Sequence, residues 1–382
     1  MTNRAWRMGA AAVALTMAAC GGDEAPAAPA TGGQPTAMAA PRITPVVALK
    51  PETREFRDWR AVCDNGNRCA AYAGSDIGAW VMVRRDAGPG AAPVILAGQG
   101  PAYGEEGPPS AALTFDGKAV DMRHTPEGLA VPAAAVMATL TRLAGAREVR
   151  FSVMDEGPEI SASGATAALL WIDERQGRLD TTDAMIRRGA RPAASARPAQ
   201  ALPLIEAAPA VAQGGLGAAN GPLQGDGKTA DIALPAALEA LPSTRECRAA
   251  TSEIPTVQKA VMAARLGPQT ELWGVPCSAG AYNVSYALYL TGPGGANPHP
   301  AAFPTWRGHG LTEGEQDWLT NPVYDPATRT ISHFPRGRGI GDCGVIQTWT
   351  WTGRAFALKE EKSMGDCWGM GADLWPTSWR TR

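Results

Sequence analysis

From Tyr282 to Leu290 large side chains occupy every second position (Tyr282, Val284, Tyr286, Leu288 and Leu290), with Asn283, Ser285, Ala287 and Tyr289 between them. Successive side chains of a strand point to opposite faces, so this period of two predicts a strand with one buried face. The same pattern recurs from Val345 to Trp351, where Trp349 and Trp351 share one face and Thr348 and Thr350 the other. It meets Arg354 to Leu358 across Thr352-Gly353. With Val323-Tyr324, the turn Asp325-Pro326-Ala327-Thr328 and Thr330 to Phe334, these segments read as an antiparallel meander.

Nearer the N-terminus the pattern mixes periods. Strands are predicted at Trp59 to Cys63, Cys69 to Tyr72, Ala79 to Arg84, Pro93 to Ala97, Ala112 to Phe115, Ala119 to Met122 and Glu148 to Val153. Pro132 to Ala144 predicts a helix, with Pro at its start, apolar residues at Val136, Met137, Leu140 and Leu143, and Gly145 as its stop. A second helix is predicted from Ala165 to Gln176 through Leu169, Leu170 and Ile172, and a short one over Ala233 to Leu241. The resulting fold class is an α+β domain over residues 53–189, then a mainly antiparallel β domain over 244–382, a sandwich, a barrel or a propeller-like meander. Residues 190–243, rich in Pro, Ala and Gly, read as the linker.

The first 20 residues follow another logic. Arg4 and Arg7 precede a short apolar run ending in Met17-Ala18-Ala19-Cys20. The run is too short to span a bilayer and has the three-part form of an export signal. Small residues before Cys20 resemble the lipobox of bacterial lipoproteins, in which that cysteine is lipidated and becomes the mature N-terminus; the competing reading is cleavage to a soluble periplasmic protein. Gly21 stands where the Asp resembling an inner-membrane retention signal would be, which points to the periplasmic side of the outer membrane of a Gram-negative bacterium. Residues 21–51 hold few large apolar side chains and read as a disordered tether that would reach on the order of 90 Å if extended.

About 330 of the 382 residues then remain to fold, enough for two domains. The chain is 45% hydrophobic and 19% charged, which excludes a disordered or collagen-like protein. Thirty-five basic against 37 acidic residues leave no field that would hold nucleic acid.

Beyond Cys20 there are six cysteines: Cys63, Cys69, Cys247, Cys277, Cys343 and Cys367. An even number in an exported chain reads as three disulfides, and neighbourhood favours 63–69, 247–277 and 343–367 among the alternatives. In the first, Asp64-Asn65-Gly66-Asn67-Arg68 is a turn sequence whose Asn-Gly supplies the positive φ of a hairpin. No Cys-x-x-Cys occurs and His124, His299, His309 and His333 show no paired spacing, so no metal or other cofactor is expected.

Candidate chemistry centres on Arg336-Gly337-Arg338-Gly339-Ile340-Gly341-Asp342-Cys343-Gly344. A dinucleotide fingerprint requires a helix after such glycines, and here a strand follows. Two readings stand: Arg336 and Arg338 fork onto an anionic ligand, joined by Asp342 and by Tyr282 and Asn283, or the loop is a tight connection in which Arg338 pairs with Asp342 or Asp366. Trp349, Trp351, Trp368, Trp375 and Trp379 are either core or a platform for sugar rings. There is no Gly-x-Ser-x-Gly and no His-Glu-x-x-His. A glycosidase needs only two carboxylates, for which Asp317, Asp325, Asp342 and Asp366 are candidates.

Three clusters carry a family resemblance: Asp58-Trp59-Arg60-Ala61-Val62-Cys63-Asp64-Asn65 with Cys69; Leu272-Trp273 with Pro276-Cys277 and Gly280-Ala281-Tyr282-Asn283; and Arg338-Gly339-Ile340-Gly341-Asp342-Cys343-Gly344 followed by Trp351, Phe356 and Cys367. Over about residues 53–380 the chain resembles the proteobacterial envelope family catalogued as domain of unknown function eleven seventy-six. Its first half also resembles the invasion-associated locus B family, exported α+β proteins with a Trp-x-x-x-Cys start. The resemblance implies an envelope location and an architecture, and brings no activity. The functional expectation is therefore a lipid-anchored protein that binds an envelope protein or a cell-wall glycan. Its alternatives are an inhibitor of a glycoside hydrolase such as lysozyme, a carboxylate-dependent glycan hydrolase, and a structural role in envelope integrity.

The address makes one direct prediction. Growth with an alkyne-tagged fatty acid should label the parent and not Cys20→Ser, and the variant should leave the membrane fraction. A variant that stays labelled and sedimenting would remove the lipid anchor.

Overall fold

The structure is a computed structural model, which describes residues 49–100, 112–152, 157–214, 216, 232–305 and 318–382. The export signal with Cys20, the tether through Ala48, His309 and Asp317 lie outside the described residues. The chain is mainly antiparallel β with few helices, arranged in four sheets, none of which closes into a barrel among the described residues. No helix there is long and apolar enough to cross a membrane.

The largest sheet has seven strands in the order Glu52–Phe56, Trp59–Cys63, Cys69–Gly74, Ala79–Arg85, Pro93–Gln99, Gly128–Ala130, Arg123–Thr125. Its centre is buried on both sides, and so Ala79 to Val83 is one unbroken buried run. One face packs Trp59, Ala61, Val81, Val83 and Ile95 against helices α1 (Ala133–Gly145) and α2 (Ala165–Arg175). Helix α1 lays Val136, Leu140 and Leu143 on that core, three residues at helical spacing. A four-stranded sheet, Glu159–Ser161, Glu148–Ser152, Ala112–Phe115 and Lys118–Asp121, contributes Leu113, Val149 and Phe151 to the same core.

The opposite face, with Val62, Ala70, Tyr72, Trp80, Met82 and Leu96, is covered by Cys343, Met364, Trp368, Met370 and Trp375 from the C-terminal part of the chain. The two halves thus share a core. Two five-stranded sheets enclose a third core. One holds Met262–Gly267, Thr270–Ala279, Val284–Thr291, His299–Pro300 and Trp318–Thr320; the other holds Val323–Asp325, Thr330–His333, Gly344–Trp351, Phe356–Met364 and Thr377–Arg380. Trp349 and Trp351 are both in that core, at 0% and 2% exposure. The cysteines pair as Cys63–Cys69, Cys247–Cys277 and Cys343–Cys367.

Two features differ from the sequence reading. The segment expected to open the mainly antiparallel β domain at 244 is helical: Cys247 sits in a helix, α4 (Pro242–Ala250), after the short α3 (Ala236–Glu239) and before α5 (Pro255–Gln258). The buried residues of α4 are only Thr244 and Cys247, and the helix has no apolar stripe for a pattern to reveal. The Asp64–Arg68 turn also works differently. Its positive φ falls at Asn67 (66°), not at Gly66. A Cβ on Gly66 would lie 2.8 Å from the end of the Leu202 side chain and 2.9 Å from the Arg380 guanidinium, so both side chains pack closely over the turn.

That closeness marks where the chain ends meet. Asp64, fully buried, accepts backbone N–H groups from Gly66 and Arg68 (2.8 Å each) and is paired with the Arg380 guanidinium. Asn65 bonds the Arg380 backbone on both sides, donating to its carbonyl (2.8 Å) and accepting its N–H (3.0 Å). Burial pushes the Asp64 carboxyl above its usual range, opposed by Arg380 and the two N–H groups. A second buried network, Arg85 and Arg178 with Asp173 and Asp183, ties the segment after α2 to the main sheet; burial lowers Arg85 to about 10. The described Pro/Ala/Gly-rich stretch runs as a strap: Ile205 N–H bonds Arg382 (3.1 Å) and Ala208 N–H bonds Trp351 (2.9 Å).

Arg380→Met would leave the Asp64 carboxylate buried without its counter-charge. It should lower the unfolding free energy by about 3 kcal/mol in urea titrations. A loss under about 0.5 kcal/mol, within the range of ordinary surface substitutions, would show that the clasp contributes little.

Candidate functional site

All five residues singled out from the sequence meet at one loop. The chain leaves Thr330–His333, crosses Arg336 to Cys343 and enters Gly344–Trp351. Gly344 has φ 136°, and a Cβ there would stand 2.3 Å from the Pro335 carbonyl, so only glycine permits this return. Arg338 Nε donates to Asp342 Oδ1 (2.6 Å), and its Nη2 also reaches the Cys367 carbonyl (3.0 Å). Asp342 Oδ2 accepts the Gly369 N–H (2.7 Å). Burial alone would raise the Asp342 carboxyl, but the Arg338 bonds and the Gly369 N–H outweigh it and hold it below the usual carboxylate range.

Asn283 and Tyr282 are struts beneath the loop. Asn283 Oδ1 accepts the Arg336 N–H (3.1 Å) and its Nδ2 donates to the Arg336 carbonyl (3.0 Å), while the Tyr282 hydroxyl donates to the Gly337 carbonyl (3.1 Å). Arg338 therefore pairs with Asp342, and Asp366 lies instead near Arg60 (3.5 Å). Asp342, Cys343 and Cys367 offer ligand atoms within 4.8 Å of one another. Both sulfurs are in one disulfide, so neither is a thiolate that could hold a metal.

Two of the aspartates considered for hydrolysis are committed to local structure. Asp325 caps its own turn through Ala327 N–H (2.8 Å) and Thr328 Oγ1 (2.7 Å), and Asp342 is taken by Arg338. Trp349, Trp351, Trp368 and Trp375 are core residues.

The concave surface lies elsewhere, where the main sheet meets the C-terminal sheet. A cavity of about 200 Å³ has Val62, Ala70, Met82 and Trp375 among its lining. Arg68, Arg84 and Glu127 line it from the first half, and Glu360, Lys362 and Asp373 from the second. Arg84 pairs with Glu127 (2.5 Å) and Lys362 with Glu360 (3.4 Å), leaving Asp373 without an ion-pair partner among the described residues. No sequence signal pointed here, because residues spread from 62 to 377 share a wall only after the halves dock. A more open apolar groove of about 290 Å³ lies beside Ile205, Phe356, Leu358 and Trp379.

Behind the loop, His333, Gln347 and Glu361 stand side by side on three neighbouring strands and are buried. Thr320 N–H donates to His333 Nδ1 (2.8 Å), Gln347 Nε2 donates to Glu361 Oε2 (2.8 Å) and Ser378 Oγ donates to Glu361 Oε1 (2.8 Å). Burial lowers His333 to about 3, and it is neutral in the fold.

These features define a disulfide-paired, mainly antiparallel β protein with a charged cleft where its halves meet. The chain matches the family described as "Protein of unknown function (DUF1176)" over residues 53–382, and it belongs to that family. It is similar to "Uncharacterized protein YpfG" of Escherichia coli (strain K12), 29% identical over 355 residues that cover 89% of this chain and 96% of that protein. No solved structure matches it.

The His333 environment makes acid destabilising. With the folded value near 3 and the unfolded value near 6.5, only the unfolded chain takes up this proton as pH falls below about 6.5. The parent should lose about 2 kcal/mol more stability than His333→Gln between pH 7 and pH 5, read from urea unfolding at both values. Parallel losses in the two proteins would assign the acid sensitivity to other groups.

Proposed function

We propose that this chain is a lipid-anchored protein on the periplasmic side of the outer membrane that works by binding, and that its cleft takes a small, polar cell-wall fragment carrying charges of both signs. The observation that carries this reading is the cleft itself. It is open and about 200 Å³ in volume, with arginine, lysine and carboxylate side chains in its walls. A ligand with an ammonium and a carboxylate, as on a glycan with a short attached peptide, can exchange partners with the Arg84–Glu127 and Lys362–Glu360 pairs without leaving a charge unmatched. The same reading takes residues 53–189 as an α+β unit and 244–382 as a β unit of sandwich type, whose meeting forms the site.

The alternatives receive less support. A glycosidase needs an acid and a base flanking the bond, and in the cleft Glu127 and Glu360 are each paired with a cation, which leaves Asp373 as the single unpaired carboxylate of its lining among the described residues. An inhibitor that plugs an acidic cleft with the Gly-rich loop would have Arg336 alone to offer, since Arg338 is paired with Asp342.

Calorimetric titration of the mature chain, made as Cys20→Ser, with muramidase-digested cell wall should give saturable binding. Arg84→Ala with Lys362→Ala should weaken it about tenfold or more. No binding, or equal binding by the double variant, would dispose of the cleft as a site. Release of new fragments from intact sacculi would instead revive the hydrolase.

A further inference from the structure

Arg336 and Arg338 lie two residues apart and are used in opposite ways. Arg338 is neutralised by Asp342. The Arg336 guanidinium has no ion-pair or hydrogen-bond partner among the described residues; its Nε is enclosed and unpartnered. It lies over the Phe334 ring, 5.3 Å from guanidinium carbon to centroid, and Phe334 in turn meets Trp375 edge-on at 5.6 Å. The Arg336 backbone is held on both sides by Asn283. A cation stacked on an aromatic face, on a backbone fixed in place, with no counter-ion, is prepared for an anion from outside.

The crest beside it narrows the chemistry. A Cβ on Gly341 would stand 3.7 Å from Arg336 Cδ and 3.3 Å from Phe334, so the crest lies against the Arg336 stem. Next to it Ile340 is 57% exposed, one of few large apolar side chains so placed. On the other flank a Cβ on Gly339 would be 3.5 Å from the Tyr282 ring. The crest is braced by the Cys343–Cys367 disulfide, the Arg338–Asp342 pair and the Tyr282 hydroxyl, so Ile340 is presented on a preorganised support.

We propose that Arg336 and the Gly339–Gly341 crest bind a terminal carboxylate that carries an apolar side chain beside it, as at the C-terminus of a peptide. The planar guanidinium accepts a carboxylate in a two-point fork, which an ammonium cannot do, and Ile340 supplies the apolar neighbour. None of these residues lines the cleft, whose wall includes the Trp375 that meets Phe334.

The test uses the mature chain with ¹³C-labelled isoleucine methyls, titrated with acetyl-Ala-Ala and with its C-terminal amide. The free acid should shift the Ile340 methyl saturably, and the amide should bind about tenfold more weakly or worse. Arg336→Gln, with the melting temperature of the parent, should lose the response. Arg336→Lys, which keeps charge without the fork, should weaken it about tenfold. Arg84→Ala with Lys362→Ala should leave it unchanged, whatever that variant does to cell-wall fragments. Equal response to acid and amide, an unaltered response in Arg336→Gln, loss in the cleft variant, or displacement by inorganic phosphate as effective as by acetyl-Ala-Ala would each overturn the assignment.

Discussion

The structure depends on one sheet having two faces to bury. Helices α1 and α2 and the four-stranded sheet cover only one side of the seven-stranded sheet. Left in water, Val62, Tyr72, Trp80, Met82 and Leu96 would form a continuous apolar surface of the kind soluble proteins cover or use. The C-terminal part of the chain covers it, with Met364, Trp368, Met370 and Trp375. Hydrophobic burial is not directional, so it does not say in which register the halves meet. The Asp64–Arg380 pair and the Asn65 bonds to the Arg380 backbone supply that register, joining residues more than 300 positions apart in the sequence.

The cleft follows from this docking. Apolar side chains fill the middle of the contact, and at its margin the strands carry charged side chains that are not fully buried. Arg84 and Glu127 on one wall and Lys362 and Glu360 on the other pair within their own walls, so among the described residues no ion pair of these four bridges the gap. The loop from Arg336 to Cys343 obeys the opposite economy. It uses Arg338, Asp342, Asn283 and Tyr282 for its own geometry, and what remains is the exposed Ile340 side chain and an Arg336 guanidinium on its aromatic support with no ion-pair partner among the described residues. Polar residues that look like a binding set in a sequence can be the scaffold of a loop.

Legibility followed periodicity. Helix α1 and the strands Val284–Thr291 and Gly344–Trp351 were readable because large apolar side chains recur along them at 3.6 or 2 residues. Thr270–Ala279 was not, because both its faces are buried and its middle reads Leu-Trp-Gly-Val-Pro without alternation. Helix α4 was hidden by its small inward residues, Thr244 and Cys247. Of the buried ionic groups, Arg85, Arg178 and Asp173 gave no signal, since a buried charge is defined by partners that lie elsewhere in the chain. Gly66 was noticed as a turn residue, but only the fold shows that Arg380 and Leu202 pack over it.

The amino-acid order by itself determined the local elements and the six cysteines whose neighbours in sequence became their partners, and it placed Tyr282, Asn283, Arg336, Arg338 and Asp342 in short segments that fold back on one another. Each of these rests on interactions between residues near in the chain or repeated with a fixed period. Only the tertiary structure decided which of the two arginines keeps its charge free, which tryptophans are core, and where a cleft opens. Those outcomes depend on which surfaces meet after collapse: the same guanidinium is a strut beside a buried carboxylate and an unpaired cation over a phenyl ring.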